Sequence, residues 1–200
     1  MFASSITVEE IYRLPLVAFK GEIVVIDKID SEFQAAMRYL GSKKVIGFDT
    51  ESRPSFTPGG SNYGVSLLQL SGSQKAYLFR LKEIGMPKRL CSLLSNPAIL
   101  KVGAAVHDDL HGLAKLSGFR PGGFVDLQKI VGGYGINDLS VKKMAAIILG
   151  VRISKTQQLS NWEAKTLTEA QQRYAATDAW ICREMFKKLL EVDNSNHVDV

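Results

Sequence analysis

Cysteine is scarce in this chain: Cys91 and Cys182 are the only two in 200 residues. Two thiols cannot build the disulfide framework that small secreted domains depend on, so a reduced, cytoplasmic setting is expected. Histidine is also rare, with three in all. His107 and His111 stand one helical turn apart, yet no cysteine or third histidine nearby completes a tetrahedral set, which argues against zinc. No apolar run is long enough to span a membrane. Glu9 and Glu10 interrupt the N-terminus before the apolar core of a signal peptide could form. Internal repeats and low-complexity tracts are missing too. What is present is 46% hydrophobic with a net charge of +5. That length and composition suit one globular domain with a full core.

Hydrophobic periodicity and turn residues predict an alternation of helices and strands. Residues 7–13 read as a short helix with Thr7 and Glu10 as its capping box. Residues 23–26 read as a strand, and 31–40 as a helix closed by Gly41. Strands follow at 45–50, 65–70 and 76–81, the last two joined as a hairpin through Ser71-Gly72-Ser73-Gln74. A helix at 88–94, a strand at 99–103 and a helix carrying Asp109 come next. A short strand at 124–126 precedes helices at 127–131 and 139–149. Asp126 reads most simply as a helix cap. A long helix at 168–192 opens on a second capping box, Thr168 with Gln171. Residues 193–200 read as a polar tail. A meander of strands followed by alternating helices and strands predicts an α/β fold, a mixed sheet with helices on both faces.

Acids sit at unusual places in this pattern. The strand at 45–50 ends in Asp49-Thr50-Glu51, and a side-chain period of two puts Asp49 and Glu51 on one face. Two carboxylates at a buried strand end repel unless a cation neutralises them, and oxygen-only ligands suit magnesium or manganese. Alone, such a pair is as readily a solvated strand end. In the long helix, Tyr174, Asp178, Ile181 and Met185 share one stripe that turns apolar, so Asp178 should face inward. It could equally pair there with a core arginine. Between these elements lies His107-Asp108-Asp109-Leu110-His111-Gly112-Leu113. Asp109 shares a stripe with Gly112, Leu113 and Leu116 and should point inward, while Asp108 points outward.

Asp49-x-Glu51, Asp109 and Tyr174-x-x-x-Asp178, in this order, resemble the three motifs of the DEDD superfamily of 3′–5′ exonucleases. Tyrosine before the last aspartate is similar to the superfamily's tyrosine branch. Val102-Gly103 and Ser160-Asn161-Trp162-Glu163 are similar to its ribonuclease D and Werner-syndrome exonuclease group. The resemblance spans roughly residues 22–190. It implies a ribonuclease H-like fold and a lead segment 1–21, an exonuclease domain 22–192 and a tail 193–200. It also implies hydrolysis at the 3′ end of nucleic acid, releasing nucleoside 5′-monophosphates with two divalent cations, Mg²⁺ or Mn²⁺. Asp49 would bridge both ions, Glu51 and Asp178 would complete one site, and Asp109 would hold the second ion, through water or directly. Tyr174 would orient the attacking water, since a phenol is a poor base.

Weaker expectations concern the substrate. The connection 53–64 begins with Arg53, Pro54 and Phe56; Arg53 could meet phosphate and Phe56 could stack on a base, or the segment is a plain surface connection. Lys155, Gln158 and Asn161 could touch the backbone, although solvated positions account for them more simply. Trp162 reads as core. The mild basic excess suits a rim facing a phosphate backbone, and a solvated surface equally well. The expected partner is single-stranded or 3′-recessed nucleic acid, with no membrane. The alternative is a catalytically silent relative that binds nucleic acid or protein.

Overall fold

Six strands form one mixed sheet with helices on both faces. The computed structural model describes residues 2–54 and 64–196. In chain order the elements are α1 (Val8–Arg13), β1 (Glu22–Ile26), α2 (Ser31–Gly41), β2 (Val45–Ser52), β3 (Val65–Ser71) and β4 (Lys75–Arg80). There follow α3 (Leu81–Ile84), α4 (Lys88–Ser95), β5 (Leu100–Gly103), α5 (Val106–Ala114), β6 (Phe124–Asp126), α6 (Leu127–Ile130), α7 (Val141–Leu149) and α8 (Glu169–Asn196). The spatial order is β1-β4-β3-β2-β5-β6. β3 runs antiparallel to β4 and β2, while the remaining neighbours pair in parallel.

Side-chain alternation along β2 divides the molecule into two cores. Ile46 and Phe48 face one, where Leu68, Phe79, Phe33 from α2 and Leu90 from α4 pack. The other face carries Val102 of β5 with Met144 of α7 and Ile181 and Met185 of α8. Helix α8 crosses this second face against β2, β3, β4 and β5. Its distance from the sheet is set at Gly47. A Cβ on that residue would lie 1.8 Å from the Ala179 carbonyl oxygen. Only the missing side chain allows main chain to touch main chain there, and fully buried Ala175, Ala176 and Ala179 keep the helix underside thin.

A lysine does a tie's job on the opposite face. Lys101 is fully buried. Its ammonium donates to the carbonyls of Asn96 (2.7 Å) and Ile99 (2.8 Å), joining the end of α4 to β5. Burial pulls its pKa down to about 8, as expected for a cation held by neutral dipoles alone.

Several boundaries differ from the sequence expectation, each for a local reason. Gly41 does not close α2 but belongs to it; Ser42 ends the helix, donating its N–H to Arg38 O and its hydroxyl to Tyr39 O. The strand expected at 76–81 stops at Arg80, whose guanidinium turns to the carbonyls of Ala164 and Lys165, and Leu81 begins α3. Leu116 lies beyond the end of α5 and is 41% exposed, so the inward stripe stops short of it. The expected tail is still helical as far as Asn196. The Tyr134 hydroxyl donates to the Asp193 carboxylate and holds the last turns of α8 to the 3₁₀ turn Val131–Tyr134.

Because the atoms that a Cβ at Gly47 would meet are backbone, Gly47→Ala should cost about 3 kcal/mol by overpacking. Urea denaturation of the two proteins measures this directly; a loss under about 1 kcal/mol would mean that α8 can retreat from the sheet.

Candidate active site

The end of β2 is the meeting point of three elements. Asp49 and Glu51 project toward α8, which brings Asp178 from one residue before the Ala179 contact with Gly47. Oxygens from these three carboxylates lie within 4.8 Å of one another. Asp178 is buried and the other two are half-buried. They line a recess of about 180 Å³ together with Tyr174, Lys155 and Gln158.

Asp109 stands beside this trio rather than within it. The Thr50 hydroxyl, on the opposite face of β2, donates to Asp109 Oδ1 at 2.6 Å. Thr50 and Asp109 line a neighbouring recess of about 380 Å³, with Asp108 and His111 at its wall. Thr50 borders both recesses. Helical phase places the adjacent acids as expected, Asp109 half-buried and Asp108 exposed. The start of α5 is fixed by Asp126, whose carboxylate accepts from Ala105 N (3.1 Å) and Val106 N (3.2 Å) as well as capping α6 through Gln128 N (3.1 Å). Ala105 is left-handed at φ 56°, which costs a non-glycine residue on the order of 1 kcal/mol. Hydrogen bonds to the Asp126 charge offset that strain.

Electrostatics at the trio are unfavourable. Burial, and then the charges of Asp178, Glu51 and Asp109, push the Asp49 pKa well above the carboxylate range. Burial and Asp178 raise Glu51 to about 8. Burial raises Asp109 to about 6 against the pull of the Thr50 hydrogen bond. Asp178 is also raised by burial, with partial relief from Lys155 and the Tyr174 hydroxyl. Lys155 is the cation inside the cluster: its Nζ lies 2.8 Å from Asp178 Oδ2 and 3.5 Å from the Tyr174 hydroxyl. Burial works against that ammonium, but the Asp178 charge and hydrogen bond hold its pKa above the ordinary value. Burial and the same acids drive the Tyr174 pKa far upward, so the phenol keeps its proton. Trp162 packs on Tyr174 at 5.8 Å between ring centroids and is core, as expected.

Among the described residues, three clustered carboxylates, with Asp109 beside them, face the one ammonium of Lys155 and form an oxygen-only donor set with excess negative charge. That chemistry fits hard divalent cations. Lys155 corrects the simpler of its two sequence readings, that of a solvated position. No periodicity governs the segment before α8, so nothing local announced that this lysine turns inward. Asn161 is occupied locally, its side chain accepting from Glu163 N and its carbonyl from Gln171. Arg53 lies 3.6 Å from Glu163, which also pairs with Lys82 at 3.2 Å, so this pairing ties the end of β2 to the segment before α8. Phe56 lies outside the described residues. His107 and His111 are both exposed on α5. Sequence reasoning also passed over Gln69, which pairs with Asp49 in the β2–β3 register. Its amide is fully buried with no partner among the described residues. A glutamine inside the apolar run Val65–Ser71 was the available signal.

The family of 3′–5′ exonucleases matches residues 24–192. Among curated proteins, exonuclease 3′-5′ domain-containing protein 2 of Drosophila melanogaster is 36% identical over 150 residues, which are 73% of this chain and 25% of that protein. The bifunctional 3′-5′ exonuclease/ATP-dependent helicase WRN of Mus musculus is 32% identical over 187 residues, 88% of this chain and 13% of that protein. The chain thus spans a quarter or less of the length of these relatives. Among solved structures, the Aedes aegypti Nibbler EXO domain superposes with a TM-score of 0.76 at 22% identity, covering 92% of this chain and 94% of that one. Escherichia coli RNase D gives 0.71 at 23% identity, covering 88% and 46%. These likenesses show the fold, which is the expected ribonuclease H-like one.

Raised carboxyl pKa values have a signed consequence for stability. The stabilisation from these groups is full below about pH 4, where they are protonated in the folded and unfolded states alike. It is lost as pH rises through about 6 for Asp109 and about 8 for Glu51. In chelator, the melting temperature should therefore fall from about pH 5 to about pH 8, and fall less in Asp49→Asn, which relieves the repulsion. Mg²⁺ or Mn²⁺ should recover most of the loss at the upper end. A thermal-shift series across pH reads all three effects; a wild-type profile identical to that of Asp49→Asn would contradict the coupling.

Proposed function

The chain belongs to the 3′–5′ exonuclease family, and on that premise we propose that it hydrolyses the terminal phosphodiester at the 3′ end of a nucleic-acid strand, releasing nucleoside 5′-monophosphates. The observation that carries this reading is the carboxylate trio within 4.8 Å, half-open to a recess and short of positive charge. Asp49, Glu51 and Asp178 would hold a divalent cation, and Asp109, across the end of β2, would serve a second one. Bound Mg²⁺ or Mn²⁺ would supply Lewis acidity and lower the pKa of a coordinated water.

The chain's own residues divide the remaining work. Tyr174 keeps its proton, so its role is to orient the attacking water rather than to deprotonate it. Trp162 behind its ring limits where that hydroxyl can point. Thr50 holds the Asp109 carboxylate by one oxygen, leaving the other available to a ligand. Lys155, already paired with Asp178, sits where it can exchange that carboxylate for a substrate phosphate once cations neutralise the acids. The expected substrate is a single-stranded or 3′-recessed end, because a paired terminus would first have to fray.

Activity should require Mg²⁺ or Mn²⁺ and vanish in EDTA, as seen in the shortening of a 5′-labelled strand from its 3′ end. Robust cleavage in EDTA would remove the metal from the mechanism. In the same assay Asp49→Asn and Asp109→Asn should abolish activity, while Asp108→Asn leaves it largely intact. The reverse ranking of the two adjacent aspartates would mean that Asp109 serves only Thr50. Tyr174→Phe should retain metal-induced stabilisation but cleave on the order of 10²-fold more slowly in single turnover. Wild-type speed in that variant would reduce the tyrosine to packing.

A further inference from the structure

On another side of the carboxylate recess lies a third one, of about 450 Å³, lined by Tyr12, Leu16, Lys142, Arg152 and Lys155 among others. Lys155 belongs to both. So does the first turn of α7, with Val141 on the wall of the carboxylate recess and Lys142 on the wall of this one. The two are neighbours along any strand that leaves the acids past Lys155.

Its walls have an unusual composition. Tyr12 is 64% exposed and Leu16 55% exposed. The Lys142 ammonium lies 4.9 Å from the centroid of the Tyr12 ring. Arg152 donates through Nε to Leu14 O, and among the described residues neither Lys142 nor Arg152 forms an ion pair. The backbone that carries Tyr12 is anchored. Its helix is closed by the Thr7–Glu10 capping box. It is tied to the body by Val17 N to Arg152 O and Arg152 N to Pro15 O, both 2.9 Å, and by Ile6 N to Asp138 at 2.9 Å. Tyr12 and Leu16 precede the family-matched residues 24–192.

An exposed aromatic on an anchored backbone, beside cations with no carboxylate partner among the described residues, is the pattern that binds single strands: bases stack on the ring and phosphates meet the charges. We propose that this recess is a track for the single-stranded nucleic acid upstream of the 3′-terminal nucleotide, with a base stacked on Tyr12 and phosphates at Lys142 and Arg152. The track extends the exonuclease reading by fixing how the strand approaches. Two cationic side chains beyond Lys155 offset the repulsion that the acids exert on incoming phosphate.

Strand length separates this site from the chemistry. Fluorescence anisotropy of labelled decathymidylate and decauridylate, with calcium in place of the hydrolytic metals, should show Tyr12→Ala binding at least one of them about tenfold more weakly than wild type. Tyr12→Phe should bind like wild type, and Lys142→Gln should weaken binding and flatten its salt dependence. Hydrolysis of the p-nitrophenyl ester of thymidine 5′-monophosphate, which has no upstream nucleotide, should be unchanged in all three variants. If Tyr12→Ala binds both decamers like wild type, or if wild type binds neither, the track is wrong. It is also wrong if Tyr12→Ala slows that ester as much as it weakens the decamers. Displacement of the decamers by polyglutamate, with the same Tyr12 dependence, would reassign the recess to an acidic protein partner. If wild type binds the decamers through Tyr12 but hydrolyses nothing, the track stands and the exonuclease reading falls.

Discussion

Asp49, Glu51 and Asp178 bring oxygens within 4.8 Å of one another, a separation at which two like charges near a protein surface repel by about 4 kcal/mol. Nothing in the trio favours its own assembly; Lys155 answers one charge and leaves the rest. The scaffold must impose the arrangement. It does so with β2 paired on both edges, to β3 and β5, and with α8 pressed to main-chain contact at Gly47. A cation bound there would recover the stability spent in this way, since a ligand that prefers the folded state stabilises it by mass action. On the function proposed above, metal affinity and apo-state instability are two expressions of one arrangement.

The alternation of β2 has a second consequence. Asp49 and Glu51 look toward α8, Thr50 looks toward α5, and the single strand end therefore serves both recesses. Asp109 is positioned by two relays on that other side. Thr50 holds its carboxylate, and Asp126 fixes the helix start that carries it. A carboxylate held by a neutral hydroxyl, with a pKa near 6, loses its proton far more easily than Glu51. The two sides of the strand are accordingly unequal in how readily they carry charge.

How much of this could be read from sequence follows the periodicity of each segment. Strand alternation placed Asp49 with Glu51, and helical stripes placed Asp178, Tyr174 and Asp109, because both regularities are set by backbone geometry. Both capping boxes and the β3–β4 hairpin were legible for the same reason. Lys155 was not, since it lies in an aperiodic segment where tertiary contact alone decides direction. The reach of α8 past 192 was hidden because the Tyr134–Asp193 contact that sustains it joins positions far apart in the chain. Gly41 misled because glycine also tolerates the helical interior when a following serine can cap. The separation of Asp109 from the trio, across the thickness of a strand, is a three-dimensional fact that no one-dimensional pattern carries.

Main-chain contact between Gly47 and Ala179 also governs how freely this protein can vary. A helix whose distance from a sheet is set by side chains moves whenever one of them changes size. Here the gauge is the backbone itself, so substitutions among the aliphatic residues around α8 can alter packing volume while the spacing of Asp49 and Asp178 stays fixed. Around α8, tolerance lies with the aliphatic side chains and is withheld from Gly47. Such a fold can drift widely in sequence without retuning its chemistry each time.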